Sequence, residues 1–150
     1  MTLPFYHDVM VIFLDTSSLF KLYHLEADSE EIELIFTQNA VQTVFLSEIT
    51  KLEFASTVWK KVRMTDLTKE QGDLLLQAFQ FDFPNYSFVQ LDSALVEKAM
   101  ELLSVYGKAG LRTLDSLQLA TAILIKDQLQ LAKTADKLLF GFFEAEELPT

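Results

Sequence analysis

Short unbroken apolar runs alternate along the chain with longer stretches of helical spacing, and that alternation sets the expected architecture. Val9–Leu14 (VMVIFL) is six apolar residues in a row, three of them β-branched, which predicts a strand buried in a parallel sheet. It runs into Asp15, Thr16, Ser17 and Ser18, residues suited to a turn and a helix start. Ser17–Tyr23 reads as a short helix. Asp28 and Ser29 open a second helix through Glu30, Ile32, Leu34, Ile35 and Phe36, with its acids in the favourable first turn. Gln42–Leu46 is a short strand, and Ser47 is the expected N-cap of a long helix reaching about Met64. Leu52, Ala55, Val58, Trp59 and Val62 recur along it at helical spacing.

Thr68 with Gln71 makes a capping box for a helix through Leu74, Leu75 and Phe79. Phe81–Tyr86, holding Pro84 and Asn85, reads as a loop, and Ser87–Leu91 as a third strand. Asp92 or Ser93 caps a helix that stops near Gly107, and Lys108–Arg112 is a connection. From Thr113, a plausible N-cap, a helix passes through Leu117, Ala120, Ala122 and Leu124. Leu129–Lys133 is a fourth short strand, followed by Thr134, Ala135, Asp136 and a last helix over Lys137–Phe143. Strands alternating with helices imply an α/β fold, its parallel strands joined by right-handed crossovers and its sheet covered by helices on both faces. In such sheets ligands gather outside the carboxyl ends of the strands. Asp15 and Asp136 both follow strand ends and so share that edge, and Glu53 and Asp115, in early helical turns, can lean toward it.

Composition narrows the setting. A chain of 150 residues suits one domain spanning 1–150, and 4 Gly, 3 Pro and no internal repeat leave little for linkers. The absence of Cys removes disulfides and thiolate metal sites. No apolar run has the length of a membrane span, and the opening MTLPFYHD lacks a basic region followed by a long apolar stretch, so a soluble cytoplasmic protein is expected. Twelve Lys and Arg against 22 Asp and Glu give a net charge of −10, the reverse of a protein that holds nucleic acid on a broad basic face. Such a balance fits a plain acidic surface, and equally a carboxylate cluster that needs a cation or a basic partner.

Each candidate acid has an ordinary explanation. Asp15 and Asp136 can cap helices, Glu53 can be a solvated boundary residue, and Asp115 can complement a helix dipole. Asp92, with nothing chemical nearby, is read as a cap. Joint placement is what argues for chemistry. Four acids at one edge repel one another and raise their proton affinities unless a cation neutralises them. Oxygen donors without His or Cys suit Mg²⁺ or Mn²⁺, and such ions support in-line phosphodiester hydrolysis with the carboxylates as ligands rather than nucleophiles. Thr16, Ser17 and Thr134 could position ligands or waters, although capping and turn formation account for them as well.

The segments LDTSSLFKLYHLEADSE, LSEITKLEFASTVWKKVR, LRTLDSLQLATAI and KTADKLL together resemble a PIN domain of the VapC toxin type, in order and spacing over nearly the whole chain. The resemblance implies a PIN-like α/β/α sandwich with a short, mostly parallel central sheet. It implies a metal site made by Asp15, Glu53, Asp115 and Asp136, Mg²⁺-dependent cleavage of RNA, a homodimer, and neutralisation by a cognate antitoxin. Two features depart from the family. The acidic end FGFFEAEELPT argues against a fifth strand, and Gln118 stands where the family often has His, a change expected to act on packing or on the surroundings of the ligands.

Lys51, Lys60, Lys61 and Arg63 share the helix of Glu53, and Lys108 and Arg112 precede Asp115. They are candidate RNA contacts, with solvated helix ends as the plain alternative. An acidic pocket would also attract an Arg or Lys from a basic antitoxin segment. Two other functions compete with the toxin nuclease. One is a catalytically silent PIN-like module that binds RNA or protein. The other is a phosphotransfer enzyme with Asp15 as nucleophile, which would favour a second Asp where Ser17 stands.

Overall fold

The computed structural model describes residues 9–26 and 29–150. Four strands form one sheet: β1 (Val9–Leu14), β2 (Ala40–Ser47), β3 (Ser87–Val89) and β4 (Leu131–Lys133), in the order β3-β2-β1-β4. All three pairings are parallel. The apolar β1 therefore takes a central place, paired on both sides, where each of its backbone groups can find a partner without water. A register shift between Met10 and Val11 marks a bulge against β2.

Seven α-helices lie among the described residues: α1 (Thr16–Phe20), α2 (Ser29–Gln38), α3 (Thr50–Arg63), α4 (Lys69–Phe81), α5 (Ser93–Tyr106), α6 (Thr113–Leu124) and α7 (Lys137–Ala145). Alternation along β1 divides the core between the two faces of the sheet. Ile12 and Leu14 pack with Leu19, Phe20, Ile32, Phe54, Val58 and Phe79, so α1 to α4 cover one face. Phe13 packs with Leu95, Leu102, Leu119, Leu139 and Phe143, so α5 to α7 cover the other. The result is the α/β/α sandwich that the alternation implied.

Local signals were read correctly in several places. Asp15, Asp92 and Asp136 accept hydrogen bonds from the backbone N–H of Ser18, Leu95 and Leu139 and cap α1, α5 and α7. The Thr68–Gln71 capping box of α4 is present in both halves. Others need correction. Ser47 ends β2 instead of capping α3; its Oγ accepts from the Ile49 N–H at 3.3 Å, and Ile49, at the cap position, makes no side-chain bond. Thr113 is the first residue of α6, whose cap position is filled by Arg112 without a side-chain bond. On α3, Val58 of the expected stripe is buried, but Leu52 is exposed and Thr50 and Phe54 are buried instead, a rotation of that stripe. Asp28 lies outside the described residues. No fifth strand follows β4 among the described residues; the chain returns only far enough for the Ala132 N–H to donate to the Pro149 carbonyl at 2.6 Å. The connection into α6 turns at Gly110, whose φ of +111° and close neighbour Leu138 both disfavour a side chain.

Candidate active site

Asp15 sits where β1 leaves the sheet. Its N–H still donates to the Lys133 carbonyl of β4 at 3.2 Å, so the residue is placed by the sheet itself. Its carboxylate is buried, and three donors hold it: the Ser18 N–H at 3.0 Å, the Thr134 hydroxyl at 2.6 Å, and the Ser17 hydroxyl, 2.8 Å from each oxygen. Ser17 Oγ in turn accepts from the Ala135 N–H at 3.0 Å, and Thr134 Oγ1 from the Asp136 N–H at 3.1 Å. The first βα turn and the turn after β4 are thereby stitched together. Burial raises the proton affinity of Asp15, against the opposing pull of the Thr134, Ser18 and Ser17 hydrogen bonds.

Glu53 comes from the first turn of α3. Its Oε1 accepts from Gln118 Nε2 at 2.7 Å and from the Thr16 hydroxyl at 3.1 Å. The same Gln118 amide reaches Thr50 Oγ1 at 3.0 Å and Thr16 Oγ1 at 3.1 Å. One buried amide on α6 thus ties together α1, α3 and the Glu53 carboxylate. Gln118 Oε1 is itself buried without a partner. Burial raises the proton affinity of Glu53, the Gln118 and Thr16 hydrogen bonds lower it, and the charges of Asp15 and Asp115 raise it again. The departure at Gln118 thus places an amide donor against the Glu53 carboxylate.

Asp115 stands in the first turn of α6 and is half-buried. Burial raises its proton affinity, the charge of Asp136 adds to this, and Arg112 opposes it. Asp136, exposed at the start of α7, uses one oxygen as the helix cap. Asp15, Asp115 and Asp136 each act electrostatically on another member of the set. Glu53 thus feels Asp15 and Asp115, and Asp115 feels Asp136. Among the described residues, no three Asp, Glu or His side chains are grouped tightly enough to enclose a metal ion as they lie.

Two clefts open at this edge. One, of about 470 Å³, is lined by Thr16, Ser17, Glu53 and Asp136 together with Lys21, Glu26 and Lys61. The other, of about 440 Å³, runs from Glu53 past Arg112 and Thr113 to Asp115. Glu53 lines both. Of the basic residues singled out in the sequence, Lys61 and Arg112 line these clefts. Lys60, Arg63 and Lys108 are exposed and line neither. Lys51 pairs with Glu48 at 2.7 Å and lies over the Phe83 and Phe88 rings. Lys21 and Glu26 were not anticipated, because the turn that follows α1 leaves no periodic pattern from which to place them.

No helix among the described residues is long and apolar enough to cross a membrane. The PIN domain family model matches residues 12–140. Among solved structures, the chain is similar to VapC20 from Mycobacterium tuberculosis, described as a Sarcin-Ricin loop cleaving toxin, with 17% identity over 87% of this chain and 94% of that one and a TM-score of 0.66. It is similar to FitAcB from Neisseria gonorrhoeae, with 20% identity, 92% and 94% coverage and a TM-score of 0.69. It is also similar to VapBC2 from Rickettsia felis, bound to a DNA fragment from their promoter, with 21% identity, 93% and 94% coverage and a TM-score of 0.58. At such identities these likenesses speak for the fold. No curated protein sequence matches the chain.

Proposed function

This chain belongs to the PIN domain family, and from that premise we propose that it is a metal-dependent endoribonuclease, the toxin of a VapBC-type toxin–antitoxin pair. What supports the reading is that Asp15, Glu53, Asp115 and Asp136 come from four separate elements at one sheet edge, with burial raising the proton affinity of Asp15, and burial and neighbouring acids raising those of Glu53 and Asp115. Such an arrangement is costly without a cation.

The donor set suits Mg²⁺ or Mn²⁺, because every candidate ligand is a carboxylate oxygen. The loose grouping of the acids fits Mg²⁺ in particular, which keeps several waters and takes only one or two carboxylates along with substrate oxygens. Asp15, Glu53, Asp115 and Asp136 are the carboxylates from which the ion would draw its one or two direct ligands, the others meeting it through water, and when bound it would lower the pKa of water and offset charge on the reacting phosphate. The remaining work belongs to the chain. Thr134 and Ser17 hold the Asp15 carboxylate in one orientation, and Gln118 and Thr16 hold that of Glu53. Asp115 and Asp136 keep free lone pairs toward the clefts. Arg112, lining the second cleft, is placed to meet a phosphate of the strand.

The solved relatives crystallised as FitAB and VapBC2 pairs support an antitoxin partner, which would present a basic side chain to the acid cluster. A homodimer and a cytoplasmic location complete the proposal. The test is cleavage of a mixed tRNA, rRNA and mRNA pool by purified protein with Mg²⁺ or with EDTA, beside Asp115→Asn. Cleavage that needs the metal and disappears in the variant is the expected result. Intact metal binding and fold without cleavage of any RNA class, or no metal binding at all, would favour a silent binding module.

A further inference from the structure

Glu53 lines both clefts at the acid edge, so the two meet at that residue. In one direction the second cleft passes Asp115, Leu114 and Thr113 and reaches Arg112. In the other, the first cleft follows one face of α3. Glu53, Thr57, Lys60 and Lys61 stand at i, i+4, i+7 and i+8, a spacing that puts them on one side of a helix. Glu53, Thr57 and Lys61 all line that cleft, and exposed Lys60 continues the same face beyond it. Acids thus occupy the middle and cations the two ends. We propose that the two clefts form one track for single-stranded RNA, with the reacting phosphate beside Glu53 and flanking phosphates held by Arg112 at one end and Lys60 at the other.

Reach, availability and charge carry the proposal. From Glu53 to Lys60 the rise along α3 is about 10 Å, at about 1.5 Å per residue. A stacked strand rises about 3.4 Å per phosphate, so Lys60 meets a phosphate roughly three positions from the reacting one. Both end cations are available. The Lys60 side chain has no ion pair or hydrogen bond among the described residues. Arg112 fills the cap position of α6 without a side-chain bond to the helix, and Asp115 is the charge that it offsets. Lys61 has Glu26 3.8 Å away, so the end of the track falls on Lys60. A protein of net charge −10 repels a polyanion at long range, and the acids in the middle add to that repulsion. A strand can lie across them only if its flanking phosphates find cations, and these two positions supply them. Lys60 also stands in the last turn of α3, where a cation complements the helix dipole. That role would show in stability and leave RNA binding alone, so the two are separable.

The track deepens the nuclease reading and rests on it for the choice of RNA, yet its test needs no catalysis. Two fluorescent single-stranded RNA oligomers serve as probes, one of about 12 nucleotides, within the usual range of a single-strand site, and one of about 3. Their binding to the full chain is measured in EDTA across a salt series, for wild type, Lys60→Gln, Arg112→Gln and the double variant. Lys98→Gln, on the helix α5 that covers the other face of the sheet, controls for the loss of one positive charge. With the long oligomer each single variant is expected to lower the salt slope by about 0.7, one phosphate contact on a single strand, and the double variant by about 1.4. The short oligomer spans only one half of the track, so the double variant should cost it no more than one contact. Lys98→Gln should keep the wild-type slope. The track is overturned if wild type does not bind the long oligomer, if either variant keeps the wild-type slope, if the short oligomer loses two contacts, or if Lys98→Gln lowers the slope as much. A lower melting temperature for Lys60→Gln with an unchanged slope would assign that lysine to the helix dipole and overturn the track as well. Mg²⁺-dependent cleavage alongside such a result would leave the nuclease standing and remove only the track. The expected binding pattern without cleavage would do the reverse.

Discussion

The four carboxylates form two unlike pairs. Asp15 and Glu53 are tied down: three donors hold the first, and an amide and a hydroxyl hold the second. Asp115 receives no hydrogen bond from the described residues, and Asp136 receives only the cap bond from Leu139. A carboxylate has about four lone-pair positions, so the bound pair has given most of its capacity to the protein while the open pair has kept it. Preorganised ligands fix geometry at the expense of adaptability. In the proposed nuclease the bound pair would set where a cation or a reacting phosphate sits, and the open pair would adjust to it. Proton affinity is raised at Asp15 and Glu53 of the bound pair and at Asp115 of the open pair, in each case chiefly by burial, so it does not follow from missing donors.

The contrast can be broken at its strongest point with Gln118→Leu. Glu53 would lose its shortest hydrogen bond and keep only the 3.1 Å bond from the Thr16 hydroxyl. Cleavage should fall about 10- to 100-fold, the usual effect of removing a ligand's supporting partner, with Mg²⁺ affinity falling alongside in calorimetry. Thr134→Val attacks the other bound acid. It removes the 2.6 Å bond to Asp15 and should cost about 1.5–3 kcal/mol near neutral pH, the range for a hydrogen bond to a charged group, read from urea unfolding. The open pair should behave differently: Asp115→Asn, expected to end cleavage, should leave stability within about 0.5 kcal/mol.

The smallest effect tests the charge balance. Glu53 has a raised proton affinity in the folded state, so its ionised form costs stability above the ordinary carboxylate range, and the cost vanishes once it is protonated in both states. Glu53→Gln should therefore melt at a higher temperature than wild type near neutral pH. The gain should shrink as pH falls toward 4.5, the unperturbed value for Glu. A gain unchanged by acid would trace the stabilisation to packing.

Much of this arrangement was legible in the sequence because strand ends are sharply marked. The apolar run Val9–Leu14 stops at Asp15, and LAK stops before Thr134 and Asp136, so a parallel sheet had to bring both acids to one edge. Helix phase was harder to read. On α3, the stripe Leu52, Ala55, Val58, Trp59 and Val62 is as good a periodic pattern as Thr50, Phe54 and Val58, and only Val58 belongs to both. Only the aromatic neighbours contributed by other elements select the second, with Phe54 lying 4.3 Å from Phe79 and 5.2 Å from Phe20, ring centre to ring centre. Ser47 was misplaced for a related reason: β2 extends further than its apolar run, so a residue that looks like a cap finishes a strand. The buried knot of Thr16, Thr50 and Gln118 was hidden because polar residues inside a core carry no pattern. They are recognisable only once three elements meet.

The strand order has a consequence in time. β1 finishes its pairing only when β4 is present, and Asp15 receives the Thr134 hydroxyl from a residue 119 positions later. Synthesis proceeds at about 5–20 residues per second, so the central strand and the acid at its tip wait several seconds, half-paired, for their last partner. Contacts this distant also slow folding once the chain is complete. A nascent chain thus carries the residues of the site well before it has the site, and an interval opens in which a partner can reach the protein before its carboxylates are set.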